Sequence, residues 1–202
     1  MPRAPVVAAV VAVVAVVVVA ETDRSPQADP VNPIVHAELS WLVGVRLPSR
    51  RDRVLVTVAG IAPDVDGLTL LAGEEAYATY HHVLTHGLLS AAVCAVVLAL
   101  LADRKALVAG LSFAAFHLHL LCDLAGSGPG WPITYLWPFS PHETMWQGQW
   151  NLASWQNTVI GLVATLAVLA CALPLRRTAV ELFSLEADGA VVATLRKRFG
   201  RG

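Results

Sequence analysis

Apolar residues run along this chain in unbroken blocks rather than in the one-sided stripes of soluble helices. Residues 84–102 and 106–122 are two such blocks, parted only by Asp103-Arg104-Lys105, and they predict a tight pair of membrane helices. Residues 158–175 predict a third, closed by Pro174 before Arg176 and Arg177. Residues 6–20 (VVAAVVAVVAVVVVA) number fifteen, short of the roughly 20 that cross a hydrocarbon core. With Arg3 before it and Glu21 after it, this run fits a retained anchor or a signal-like segment. Two shorter apolar runs, 34–47 (IVHAELSWLVGVRL) and 54–62 (VLVTVAGIA), are broken apart by PSRRDR and predict a short helical hairpin over about 34–62. Beyond 176 the pattern changes again. VELFSLEADGAVVATL, residues 180–195, contains two β-rich runs joined by Asp188-Gly189, the pairing that favours a two-residue turn, and predicts a small β-hairpin.

The expected fold is therefore all-α: a polytopic helical membrane protein with three or four membrane helices, the short hairpin, and the C-terminal β-hairpin. Three parts follow along the chain: the segment 1–20, a membrane-embedded domain 34–175, and a basic tail 176–202. Composition supports the membrane reading, because only 14% of residues are charged against roughly 25% in soluble domains. A formal net charge of -1 gives no electrostatic case for nucleic-acid binding. Cys94, Cys122 and Cys171 lie in or beside apolar runs and suggest neither a disulfide framework nor a thiolate metal site.

Lys and Arg bias gives the expected orientation. Arg104 and Lys105 sit in one turn, and Arg176, Arg177, Arg196, Lys197, Arg198 and Arg201 follow the last apolar block. One helix out and one back puts both groups on the same side, which the positive-inside rule makes cytoplasmic. Arg46, Arg50, Arg51 and Arg53 at the hairpin tip favour that side too. The open ends of these elements, carrying His36, Asp64, Asp66, His86 and Asp123, then face outward in a multi-pass protein of a bacterial-type cell membrane.

Candidate chemistry gathers at those ends. In LHLLCD, His119 and Asp123 stand at i and i+4, so one helical face carries both toward a common ion. In YHHVLTHG, His82 and His86 have the same spacing, while His81 needs an extended or capping conformation to converge with them. APDVDG adds Asp64 and Asp66 directly after Pro63. Any one of these residues alone reads as a satisfied core histidine or a turn aspartate. Gathered at one membrane face without partners, they would carry a heavy desolvation cost, and a divalent ion is the simplest common partner.

His36 with Trp41, APDVDG at 62–67, HHVLTH at 81–86, HLLCD at 119–123 and GWPITYLWPFSP at 130–141 together resemble the YdjM-like family of predicted membrane-bound metal-dependent hydrolases. That family's pattern runs from an early histidine through Leu-Pro-Asp-x-Asp, His-Arg-Gly-x-Thr-His-Ser and His-x-x-x-Asp to a Trp-Pro-Phe-Ser-like stretch. The resemblance implies His36, Asp64, Asp66, His81, His86, His119 and Asp123 as metal ligands. Departures are specific: His82 stands where the pattern has arginine, Gly87 where it has serine, and Ala62 where leucine is common. At His82 a phosphate-holding arginine would be replaced by a weaker positive or hydrogen-bonding group.

Oxygen and imidazole donors suit zinc first, then manganese or iron, in one ion or two. The expected activity is hydrolysis of a phosphoester or another ester, with Asp64 or Asp66 as general base and His82 as a further catalytic group. Trp131, Trp137, Trp146, Trp150 and Trp155 fall in the outward loop, as an aromatic belt or as a platform for an amphiphilic substrate in the bilayer. His142, Glu143 and Glu38 are expected outside the site. The alternative is a metal-binding membrane protein without turnover, in transport or assembly; a purely structural role for the histidines is the third reading.

Overall fold

A computed structural model of the chain describes residues 33–200. The run at 6–20, expected as an anchor or signal-like segment, lies outside the described residues. Eight α-helices are described: α1 (Pro33–Gly44), α2 (Arg50–Ala59), α3 (Glu74–Tyr80), α4 (Leu88–Leu101), α5 (Lys105–Gly126), α6 (Trp155–Ala170), α7 (Ala172–Leu175) and α8 (Leu185–Phe199). Two 3₁₀ segments, Ala62–Ala72 and Ala179–Leu182, join them.

Helices α1 and α2 pack side by side against the middle of the assembly, with α5 behind both, α4 against α5, and α6 against α1. Their common core holds Leu47, Leu55, Val56, Ala59, Leu98, Val108 and Ala115. The outer faces are apolar as well. Val93, Val96, Val97 and Leu100 on α4, and Leu162, Val163 and Leu166 on α6, are all exposed. So much contiguous apolar surface is unstable against water and is matched by acyl chains. Lys105–Gly126 and Trp155–Leu175 are long and apolar enough to cross a membrane, and α2 with the following 3₁₀ segment makes a third such stretch, bent by 51°.

Two expectations are corrected here. The block at 84–102 does not form a full span: α4 begins only at Leu88 and has 14 residues. Its first residues are held in an irregular loop, where the Leu88 N–H donates to the Tyr135 carbonyl at 2.8 Å. A Cβ at Gly87 would come within 2.9 Å of that same carbonyl, so the close backbone approach explains glycine there.

The tail is helical, with no strand among the described residues, and so the expected β-hairpin at 180–195 is absent. Ser184 caps α8 by accepting from the Ala187 N–H, Glu186 and Asp188 occupy its first turn, and Arg196, Lys197 and Arg198 its last, all favourable to the helix dipole. Asp188 makes no turn because its carboxylate accepts from the Thr178 N–H at 2.8 Å and hydroxyl at 2.6 Å. These local signals outweigh the Asp-Gly pair.

The hairpin tip, the α4–α5 turn and the tail meet at one end of the molecule. Asp52 accepts from the backbone N–H groups of Asp103 (2.8 Å) and Arg104 (3.2 Å), where α5 begins without a side-chain cap of its own. Glu181 is buried and receives the Arg53 guanidinium in a two-point pair, with the Trp41 indole N–H added at 2.9 Å. Arg50 binds the Glu181 and Leu182 carbonyls at 2.6 and 3.1 Å. The tail is thereby locked to the hairpin. Removing one partner of a buried, hydrogen-bonded ion pair costs about 3–5 kcal/mol, whereas replacing both with apolar groups costs far less. Glu181→Ala should therefore lower the thermal unfolding temperature in detergent and speed trypsin cleavage at Arg176 and Arg177, and the double change Arg53→Met, Glu181→Leu should restore much of the loss. Unaltered unfolding in Glu181→Ala would contradict the role given to this pair.

Candidate metal centre

At the opposite end lie the titratable groups. His36 comes from the first turn of α1, Asp64 and Asp66 from the 3₁₀ segment, His81, His82 and His86 from the loop before α4, and His119 and Asp123 from the last turns of α5. All eight are buried, none more than 4% exposed. The bend at Gly60 and Ile61 brings the 3₁₀ segment beneath the end of α5. A Cβ on Gly60 would fall 1.7 Å from the Ser40 hydroxyl, so only glycine lets α1 and this bend come so close.

Asp66 and the Gly60 carbonyl fix the rings. Asp66 Oδ1 accepts from His81 Nδ1 at 2.7 Å, and Asp66 Oδ2 from His86 Nδ1 at 3.0 Å and from the Thr85 N–H at 3.2 Å. The Gly60 carbonyl accepts from His119 Nδ1 at 2.8 Å. In the neutral form of His86 and His119 these partners place the proton on Nδ1 and leave the Nε2 lone pair facing inward, the arrangement that outer partners impose on metal-binding histidines. His36 stacks on His119, with ring centroids 3.9 Å apart.

The inward atoms converge. His119 Nε2 is 2.8 Å from Asp123 Oδ2 and 3.3 Å from Asp64 Oδ1. His86 Nε2 is 3.4 Å from Asp123 Oδ2, and His36 Nε2 is 3.3 Å from Asp123 Oδ1. These approaches are close but poorly aligned: His36 Nε2, His86 Nε2, His119 Nε2, Asp64 Oδ2 and Asp123 Oδ2 are buried without a hydrogen-bond partner. Native interiors rarely leave such atoms unpaired. Asp64, His86, His119 and Asp123 are of the type and spacing that can hold a metal ion, and His81, His82 and His86 form a second such group.

The electrostatics of the loop fit this. Burial, with His86 close by, pushes the His82 imidazole down to about 3, leaving it neutral with a free lone pair. Burial also opposes charge on His86, yet Asp66 and Asp123 outweigh it and raise that imidazole to about 9. A proton on His86 thus puts positive charge between Asp66 and Asp123.

Other residues fall elsewhere. His142 and Glu143 are exposed in the outer loop, and Glu38 binds the Thr165 hydroxyl on the outer side of α1. Among the tryptophans, Trp131 stands against Tyr77, His81 and His82, at centroid distances of 5.9, 5.9 and 5.7 Å. Trp137, Trp146 and Trp155 are exposed, while Trp150 is held by Asn157 at 2.8 Å. The three cysteines are free. Sequence reasoning passed over the Gly60 carbonyl and the Thr85 N–H, since backbone groups leave no composition signal; the glycine before Ile-Ala-Pro-Asp was the one available hint.

A model of the YdjM inner membrane protein family matches residues 8–187, nearly the whole chain. The chain belongs to this family. No curated protein and no solved structure matches it. This YdjM-family chain is thus a membrane protein with a buried histidine and aspartate cluster at one end of its helices.

A ligand must lose its proton before it can bind a metal. With His86 protonated up to about 9, zinc affinity of the purified protein should rise steadily from pH 6.5 toward that value, with proton release on binding. Isothermal titration in two buffers of different ionisation heat measures both quantities. Affinity that is flat over this range would contradict a protonated His86.

Proposed function

We propose that this chain is a membrane-embedded metal-dependent hydrolase acting on a phosphoester or another ester, with an amphiphilic substrate taken from the bilayer. The observation that carries the reading is the set of buried, unpaired donor atoms on Asp64, His86, His119 and Asp123. Two imidazoles and two carboxylates suit zinc, with manganese or iron as alternatives. A divalent ion held there would activate water and neutralise charge on the reacting oxygen.

The chain's own residues divide the remaining work. Asp66, engaged through both oxygens, orients His81 and His86 and has no lone pair well placed to take a proton from water. Asp64, with Oδ2 unpaired, is the better general base of the two. Trp131 and Tyr77 wall the histidine loop on one side, Trp131 edge-on to Tyr77 and to the His82 ring, an apolar contact for an acyl chain. Leu71, Tyr80 and Phe139 are exposed and offer an amphiphile apolar contacts.

The burial of all four donors is what favours the alternative, a metal-binding protein without turnover. Against a transport role stands the buried apolar core of Leu55, Val56, Leu98 and Val108. In orientation, the cluster would face outward and the tail the cytoplasm, because Arg51, Arg104 and Lys105 share the tail's end of the molecule.

Two measurements test the proposal. Turnover of a chromogenic phosphodiester and a chromogenic carboxyl ester by detergent-purified protein should be abolished by a chelator and restored by zinc or manganese. Asp64→Asn should lose more than about 100-fold, while Asp66→Asn should fall within the roughly 10–100-fold range of outer partners. Equal losses, or turnover indifferent to the chelator, would contradict the division of roles. In intact cells, an engineered cysteine at Arg104 or Arg198 should resist an impermeant thiol reagent; rapid labelling would reverse the orientation.

A further inference from the structure

The backbone of His82 is unusual. Its φ is +66°, a left-handed conformation that a histidine adopts at a cost and that persists only where surrounding contacts impose it. Those contacts are present: the His82 carbonyl accepts from the Thr134 N–H at 3.1 Å, and its ring is sandwiched among His81, His86 and Trp131 at centroid distances of 4.4, 4.5 and 5.7 Å. The strained backbone turns the ring inward. There it is 2% exposed, and its Nδ1 has no hydrogen-bond partner.

The position of His82 resolves a conflict within the cluster. His86 belongs to both ligand groups, but its Nδ1 is held by Asp66, and one Nε2 lone pair serves one ion. If His86 goes with its own loop, Asp64, His119 and Asp123 remain for the other ion. His36 Nε2, itself unpaired and 3.3 Å from Asp123 Oδ1, lies beside them. Resting on the metal-dependent reading above, we infer that His81, His82 and His86 form a second divalent-cation site, with Asp123 as the carboxylate between the two ions.

Three imidazoles with a shared carboxylate are donors that suit zinc. Asp123 Oδ2 lies 3.4 Å from His86 Nε2 and 4.0 Å from His82 Nε2, close enough for one carboxylate to serve both sets, as in centres whose ions stand roughly 3.5–4 Å apart. Trp131 stands beside this group, 5.7 Å from the His82 ring by centroids. An arginine at 82 would supply a fixed positive charge at this point; histidine supplies a ligand for a mobile one.

Metal content decides the matter without any activity assay. Purified full-length protein, stripped with a chelator and dialysed against zinc chloride, should retain about two ions per chain by mass spectrometry, in keeping with a two-ion centre. His82→Asn keeps a side chain that tolerates the left-handed backbone and should retain about one, and His82→Arg, used if the asparagine variant does not fold, should do the same. Asp64→Asn should lose the other ion and keep the histidine site. Wild-type protein saturating at one ion, or His82→Asn still holding two, would overturn the second site and leave the hydrolase reading standing. Wild-type protein binding none would remove both.

Discussion

Charge buried with unpaired donor atoms is the constraint from which the rest of this structure follows. Carboxylates and imidazoles taken out of water must find counter-charge or remain neutral, and doing neither is costly. At the cluster of Asp64, His86, His119 and Asp123 the protein assembles donors from the 3₁₀ segment, the histidine loop and α5, yet leaves their inward atoms unsatisfied. Everything nearby serves to hold that arrangement. Gly60 permits the close approach of α1 and lends its carbonyl, Asp66 steers two rings, and Gly87 lets the outer loop close against the start of α4.

The other end of the molecule shows that this is no general laxity. There Glu181, Arg53, Trp41 and Arg50 form a buried network in which the carboxylate is paired at both oxygens, and Asp52 and Asp188 are both spent on backbone N–H groups. One chain thus treats its buried charges in two ways. Where charge is structural it is neutralised from within. At the histidine cluster, by contrast, unpaired atoms of His36, Asp64, His86, His119 and Asp123 lie close together, in a group that could hold a metal ion.

Much of this was legible in the sequence, for identifiable reasons. His119 and Asp123 at i and i+4 on a long apolar run left little room for another outcome, and the apolar blocks announced a membrane protein directly. The convergence of APDVDG with the histidine loop rested on motif order, not on periodicity. Two things were hidden. The Asp188-Gly189 pair is a strong local turn signal, but it loses to Ser184, to the charges at the ends of α8, and to a tertiary hydrogen bond from Thr178. The loss of the first turn of the expected helix at 84–102 depends on backbone contact with Tyr135, which lies far along the chain and carries no sequence mark. The separate duties of Asp64 and Asp66, one residue apart, likewise depend on which histidines the fold brings to each.

The central claim is that imidazole and carboxylate groups of this cluster hold a divalent cation. X-ray absorption at the zinc edge of the zinc-loaded, detergent-purified protein tests it most directly. The account predicts a first shell of nitrogen and oxygen alone at roughly 2.0–2.2 Å, with the outer scattering of several imidazole rings and no sulfur near 2.3 Å. A shell of water oxygens without imidazole scattering, or one containing sulfur, would contradict it.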